Sequence, residues 1–277
     1  MKPNISFIPA LLLFTACSLY AQNSQLYNYQ LDGKGDGVMK LSGQLYEISG
    51  LAAAKDDRVF AHNDEESYIF ELDTKTGKIK KYFYAGDKPV SGDFEDIAYV
   101  NGKFFLLTSN GTLLEFREGG SKQGSSVKKI STGLKSSNDI EGLEYDAATN
   151  SLLLACKGKA GKGLKNKKAV YSFSLKSYSL NEKPRFLLDE KYITGQLGIN
   201  SFSPSAIKKH PVSGSYFILS ANDNAIVELS SDGRILAMMK LSKKLHPQPE
   251  SLCFLSDNTL LIGDESGILT RYRYRRK

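Results

Sequence analysis

A short phrase recurs five times along the 277 residues, and few folds repeat at this spacing. It pairs an acid or small residue with a second small or acidic residue and then an aliphatic pair: Glu47-Ile48-Ser49-Gly50-Leu51, Glu95-Asp96-Ile97-Ala98, Glu141-Gly142-Leu143, Pro204-Ser205-Ala206-Ile207 and Pro249-Glu250-Ser251-Leu252. The heads at 47, 95, 141, 205 and 250 are spaced by 48, 46, 64 and 45 residues. Three of the four spacings match one blade of a β-propeller. The long one contains a Gly/Lys-rich run at 157–168 and a polar stretch around 195–201, which read as insertions.

After each phrase come short alternating apolar runs broken by turn pairs. Val59-Phe60-Ala61-His62, Tyr68-Ile69-Phe70-Glu71-Leu72 and residues 79–84 follow the first, and the second and fourth phrases repeat the series. Thr76-Gly77, Asn110-Gly111, Ser213-Gly214 and Asp232-Gly233 suit the tight hairpins between them. The last unit runs out one strand short, and Val38-Met39-Lys40-Leu41, ahead of the first phrase, can fill the gap without leaving a sheet edge. The prediction is an all-β, five-bladed propeller of four antiparallel strands per blade, closed by that N-terminal strand. Sustained helical periodicity is absent, which argues against Rossmann and barrel enzymes. A β-sandwich would leave the repeated phrase unexplained.

The start of the chain reads as an address. Lys2 precedes a nearly uncharged apolar run from Ile5 to Leu19, too short to span a bilayer, and Ala21 offers a small residue for cleavage. Residues 1–21 are therefore expected to be a signal peptide on an exported, periplasmic or cell-envelope protein, with residues 22–277 as the propeller. Thr15-Ala16-Cys17 permits a competing reading as a lipobox. No other apolar stretch reaches membrane length. The remaining thiols, Cys156 and Cys253, lie far apart in apolar runs and are expected to be buried and free. The net charge of +7 is scattered among acids rather than gathered on one face, so nucleic acid is not the expected partner. A monomer that meets a small molecule or an envelope protein is.

The first strand of each propeller blade lines the central channel, so a residue at its head recurs around the axis. Glu47, Glu95, Glu141 and Glu250 would converge there, with Ser205 at the fifth place. Crowded carboxylates hold their protons more tightly unless a cation neutralises them, and a hard cation with oxygen ligands such as calcium is the natural partner. The alternative is that these acids cap backbone N–H groups or pair with Lys208 or Arg58. Zinc is disfavoured because His62, His210 and His246 lack ligand spacing. Polar clusters end the second strands at His62-Asn63-Asp64-Glu65, Ser109-Asn110, Ala221-Asn222-Asp223-Asn224 and Gly263-Asp264-Glu265. Asp64, Asp223 and Asp264 are the further metal candidates, and Asn63, Asn110, Asp139 and Asn222 the ligand-binding ones. The competing reading is that Asn and Asp simply serve tight turns.

Taken together, Ile48-Ser49-Gly50-Leu51, Phe60-Ala61-His62-Asn63-Asp64-Glu65, Gly92-Asp93-Phe94-Glu95-Asp96-Ile97-Ala98-Tyr99, Asn138-Asp139-Ile140-Glu141-Gly142-Leu143 and His246-Pro247-Gln248-Pro249-Glu250 resemble the SdiA-regulated family of exported bacterial propellers, over about residues 41–274. The resemblance implies a five-bladed propeller, distantly similar to NHL-repeat proteins, with a bound calcium ion and no settled biochemical activity. Two places depart from the family pattern: Ser251 where Gly is usual, and Ala155-Cys156-Lys157 where an acidic or arginine-bearing turn is common. Two function classes follow. One is a calcium-binding scaffold or calcium-responsive envelope protein. The other is a calcium-dependent hydrolase, similar to propeller lactonases and phosphotriesterases, for which His62 is the nearest candidate base.

Overall fold

In a computed structural model the protein is described over residues 23–276, so the proposed signal sequence and Cys17 lie outside the described residues. Strand β1 (Gly37–Lys40) comes first. Blade 1 follows with β2 (Ile48–Ala53), β3 (Val59–Asn63), β4 (Tyr68–Leu72) and β5 (Ile79–Ala85). Blade 2 has β6 (Phe94–Val100), β7 (Lys103–Thr108) and β8 (Thr112–Arg117); then β9 (Gly124–Ser125) pairs in parallel with β5, and β10 (Lys128–Ser131) completes the blade. Blade 3 contains β11 (Ile140–Asp146), β12 (Ser151–Cys156) and β13 (Lys167–Ser174), whose outer edge takes both β14 (Ser179–Leu180) and β15 (Phe186–Asp189). Helix α1 (Glu190–Leu197) leads to blade 4, with β16 (Pro204–Lys209), β17 (Tyr216–Ser220), β18 (Ala225–Leu229) and β19 (Ile235–Lys240). Blade 5 has β20 (Pro249–Phe254), β21 (Leu260–Asp264) and β22 (Ile268–Tyr272), and β1 is its fourth strand, antiparallel to β22 with Met39 opposite Leu269.

The five-bladed ring and its closure by the N-terminal strand match the sequence expectation. The first insertion lies within blade 3, between β12 and β13, and the second in the connection from α1 to β16 that leads into blade 4. Three features depart from four antiparallel strands per blade: β9 adds a parallel fifth strand to blade 1, β14 and β15 share the outer edge of blade 3, and α1 is an eight-residue helix that Asp189 caps by accepting from the Tyr192 N–H and Gly198 ends at φ 60°.

A blade must bury both faces, and this explains why its strands are apolar on both sides. Among the described residues the buried apolar side chains form five clusters, one at each seam between neighbouring blades. The seam between blades 1 and 2, for example, packs Phe60 edge-to-face on Phe104 and Phe83 tilted against it. The seam between blades 4 and 5 also takes in Leu26, Tyr29 and Leu31 from a strap that precedes β1. Glu228 holds this strap: its carboxylate, buried in β18, accepts from the N–H groups of Gln25 and Leu26 and from the Ser24 and Ser215 hydroxyls. Cys156 and Cys253 are buried free thiols in separate seams.

Candidate functional site

All five innermost strands carry a register shift at the same place, between Ile48 and Gly50, Phe94 and Asp96, Ile140 and Gly142, Pro204 and Ala206, and Pro249 and Ser251. The extra residue in each bulge is Ser49, Glu95, Glu141, Ser205 or Glu250. A bulge re-aims the side chain it frees, so these five residues form the equivalent ring at the channel mouth. This corrects the sequence reading at blade 1. Glu47 lies one residue ahead of β2 at φ 60° and is exposed, and its place in the ring belongs to Ser49. In four blades the residue after the bulge is small, Gly50, Gly142, Ala206 or Ser251, because neighbouring strands nearly touch; in blade 2 it is Asp96. A Cβ on Gly50 would meet the His62 ring at 2.2 Å and the Asp96 Cα at 3.0 Å, and one on Gly142 would meet the Ile207 nitrogen at 3.0 Å.

The three ring carboxylates are held well above the ordinary carboxylate range. Burial, then repulsion from Glu141 and Asp93, pushes Glu95 up to about 9. Burial with Glu141 and Glu265 nearby raises Glu250 to about 8. Burial raises Glu141 to about 7, with Lys157 pulling the other way. Lys157 Nζ donates to Glu141 Oε1 at 2.5 Å and also feels Glu250. Three acids and one ammonium leave two formal negative charges when all are ionised. Beside them Asp64, raised to about 6 by burial and by Glu47, Glu65 and Glu265, has a buried Oδ1 with no hydrogen-bond partner among the described residues.

The other predicted residues separate. Asp264 is buried away from the ring: its carboxylate accepts from His246 Nδ1–H at 2.9 Å, so that His246 Nε2 accepts from the Tyr272 hydroxyl at 2.6 Å, and all three are sealed from solvent. This chain of hydrogen bonds pins the His246-Pro247-Gln248-Pro249-Glu250 segment, where Asp264 also accepts from the Gln248 N–H. His62 is not presented to the channel mouth as a base. It is wholly buried, its Nδ1 bonds the Asn63 carbonyl, burial and Lys208 push it down to about 4, and its Nε2 has no partner among the described residues. Asn63 and Asn110 are turn residues, the first accepting from the Glu66 N–H and the second from the Thr112 N–H. Asp223 accepts from the Ser201 hydroxyl, Asn222 is exposed, and Asp139 stands beside the ring at φ 49°, adding to the field on Glu95 and Glu141.

Deeper along the axis lies a group that the repeat did not reveal. Lys208 of β16 crosses the channel and donates to both Asp96 oxygens at 2.9 and 2.7 Å and to the Leu143 carbonyl at 2.6 Å, while Asp96 accepts from the Leu143 N–H at 2.7 Å. Blades 2, 3 and 4 are thus tied at one point, with side chains no more than 6% exposed. Glu144 completes the group, raised to about 7 by burial against the pull of Lys208. Lys157, Lys208, Asp96 and Glu144 form the charged axis together with the ring acids.

A family model described as SdiA-regulated matches residues 21–243. The chain belongs to the SdiA-regulated family. Among curated proteins none matches by sequence. Among solved structures it is similar to the glutaminyl cyclase of Myxococcus xanthus, at 11% identity and TM-score 0.59 over 86% of this chain and 94% of that one. It is also similar to a luciferin-regenerating enzyme, at 12% identity and TM-score 0.51 over 87% and 95%. At such identities the likeness concerns the fold alone. No helix among the described residues is long and apolar enough to cross a membrane, and no three His, Cys, Asp or Glu among them stand in metal-holding geometry.

Proposed function

We propose that this SdiA-regulated propeller is an exported, monomeric, calcium-binding scaffold of the periplasm or cell envelope, which presents a cation at the acidic channel mouth to a small molecule or an envelope protein. The observation that carries this reading is the convergence of Glu95, Glu141 and Glu250 at bulge positions, where burial and repulsion from nearby acids, Glu141 on Glu95 and Glu250 and Asp139 and Asp93 on Glu141, make each carboxylate favour a positive partner. The donor set fits a hard cation in its chemistry. It is all oxygen, Ser49 and Ser205 add hydroxyls to the same ring, and the unpartnered Asp64 Oδ1 lies beside it. Lys157 and a divalent ion together would balance the three ring carboxylates, while Asp64, Asp93, Asp139 and Glu265 add further negative charge around them. The carboxylates must close further on the ion than they stand, since no three of them are in ligating geometry. When bound, the ion would supply charge neutralisation and open coordination positions at the mouth.

The hydrolase alternative drew its base from His62, an imidazole sealed from the mouth. Scaffolding is therefore the reading favoured here. Calcium titration by calorimetry and thermal melting tests it. At a hundredfold excess over Kd, binding should add about 2.7 kcal/mol, a rise of roughly 5–10 °C in Tm for a chain of this length. Glu95→Gln and Glu250→Gln should each weaken it. A wild-type Tm indifferent to millimolar calcium would sink the reading.

A further inference from the structure

Below the Lys208–Asp96 pair, at the opposite end of the axis from the acidic mouth, the innermost strands of all five blades enclose a cavity of about 250 Å³. Its floor is made of small apolar side chains, Ala52, Ala53 and Ala98, and it runs into a second cavity of about 250 Å³ between blades 1 and 2. The two share Lys55, Tyr99 and Tyr145. Both tyrosines are held in place: Tyr99 stacks on Phe60 with centroids 6.2 Å apart and lies 5.0 Å from Phe104, and the Tyr145 hydroxyl donates to Asn150 Oδ1 at 3.1 Å. The cations around the cleft differ in one respect. Lys208 is consumed by Asp96, Lys209 by Asp146 and Arg58 by Glu118 and Asp56, whereas Lys55 has no ion pair or hydrogen bond from its ammonium among the described residues.

An apolar cleft with two fixed aromatic rings and one uncommitted positive charge at its rim suits a flat apolar body carrying one negative charge. Glu144 lines the deep end of the cavity and disfavours an anion there, so the charge of such a ligand points outward to Lys55. We propose that this cleft is a second ligand site, distinct from the acidic mouth, that takes a small aromatic carboxylate with its ring against Tyr99 and Tyr145 and its carboxylate on Lys55. The two ends of one axis then select ligands of opposite charge.

Titration of the full chain with fluorescent 2-naphthoate, and with benzoate as a smaller probe by calorimetry, tests the site. The expected result is saturable one-to-one binding. Lys55→Gln should weaken it about fivefold, the size of one solvent-facing charge pair, and Tyr145→Ala about tenfold. Uncharged 2-naphthalenemethanol should bind about fivefold more weakly than naphthoate, and Glu250→Gln, at the other mouth, should leave binding unchanged. Because Lys55 lies at a solvent-facing turn, its variant reports even if Tyr145→Ala melts early. Absence of saturable binding by either carboxylate, equal affinity in Lys55→Gln, or loss of binding in Glu250→Gln would each overturn the proposal.

Discussion

Two lysine–carboxylate pairs stand on the same axis, and their surroundings give them different work. Lys208 and Asp96 have side chains 6% and 1% exposed, and each makes further hydrogen bonds to a neighbouring blade. Lys157 and Glu141 sit at the mouth with 30% and 8%, and Lys157 faces carboxylates it cannot all satisfy. In a dry interior an ion pair is kept by excellent geometry, and losing one partner leaves a bare buried charge. Near water the same pair contributes little to stability. The inner pair is thus a structural tie, whereas the outer one adjusts the charge of a site.

The sharpest way to break this comparison is Lys208→Met, which strands Asp96 and should cost about 3–5 kcal/mol, seen as a fall in the denaturation midpoint. Replacing both partners, as Lys208→Met with Asp96→Leu, should recover most of that loss, because two apolar side chains leave no unpaired charge. A double variant no more stable than the single would show that the pair is not what holds this region.

Next in size is the pH dependence of the apo protein. Glu95, Glu141 and Glu250 bind protons more tightly folded than unfolded, so the folded state carries more protons than the unfolded state between the ordinary value of 4.5 and about 9. Stability therefore falls as pH rises through that window. Thermal melts without calcium should show Tm lower at pH 9 than at pH 5, and Glu95→Gln should flatten the slope and raise Tm at pH 8 by a few degrees, as expected for about 1 kcal/mol in a chain of this size. A Tm that climbs steadily to pH 9 would contradict the crowding of these acids. Calcium should reverse the slope, since it binds the ionised carboxylates.

The smallest effect on stability is expected from Lys157→Met, about 1 kcal/mol or less. Its effect on binding should be larger and opposite in sign, because removing the ammonium leaves the mouth one charge more negative. Calorimetry should find calcium bound more tightly, by about tenfold if the two charges interact by about 1.4 kcal/mol. Weaker binding would mean that Lys157 positions Glu141 for the ion rather than competing with it.

What the sequence revealed and what it concealed have physical reasons. Spacing, turn pairs and the missing last strand were enough to count blades and close the ring, because each blade repeats the same local pattern. The ring of acids was legible at Glu95, Glu141 and Glu250. At blade 1 the repeat pointed two residues ahead of the bulge, since a slip of two residues preserves strand alternation and only the bulge in the ladder distinguishes Glu47 from Ser49, although the charge of Glu47 still acts on Asp64 and Glu265 beside the ring. Asp264 and Glu265 were adjacent in a polar cluster, yet one is buried against His246 and the other remains by the ring; that choice depends on an imidazole eighteen residues away in sequence. Lys208 and Asp96 are 112 residues apart, and no local pattern foretells a contact made only when the ring closes. Lys157 was visible as a departure from the family pattern, and the structure explains it as the ammonium at the mouth.

The joint between β1 and β22 has a consequence for how the chain reaches this shape. It brings Gly37 against Arg271, nearly the whole length of the chain apart. Loops of that size are slow to close, and contacts across them come late in folding. A polypeptide that emerges N-terminus first must carry β1 unpaired, with one face of blade 1 uncovered, until its last strand arrives. The ring therefore acts as a completeness check: a chain cut short before residue 268 has the residues for four whole blades and still cannot shut.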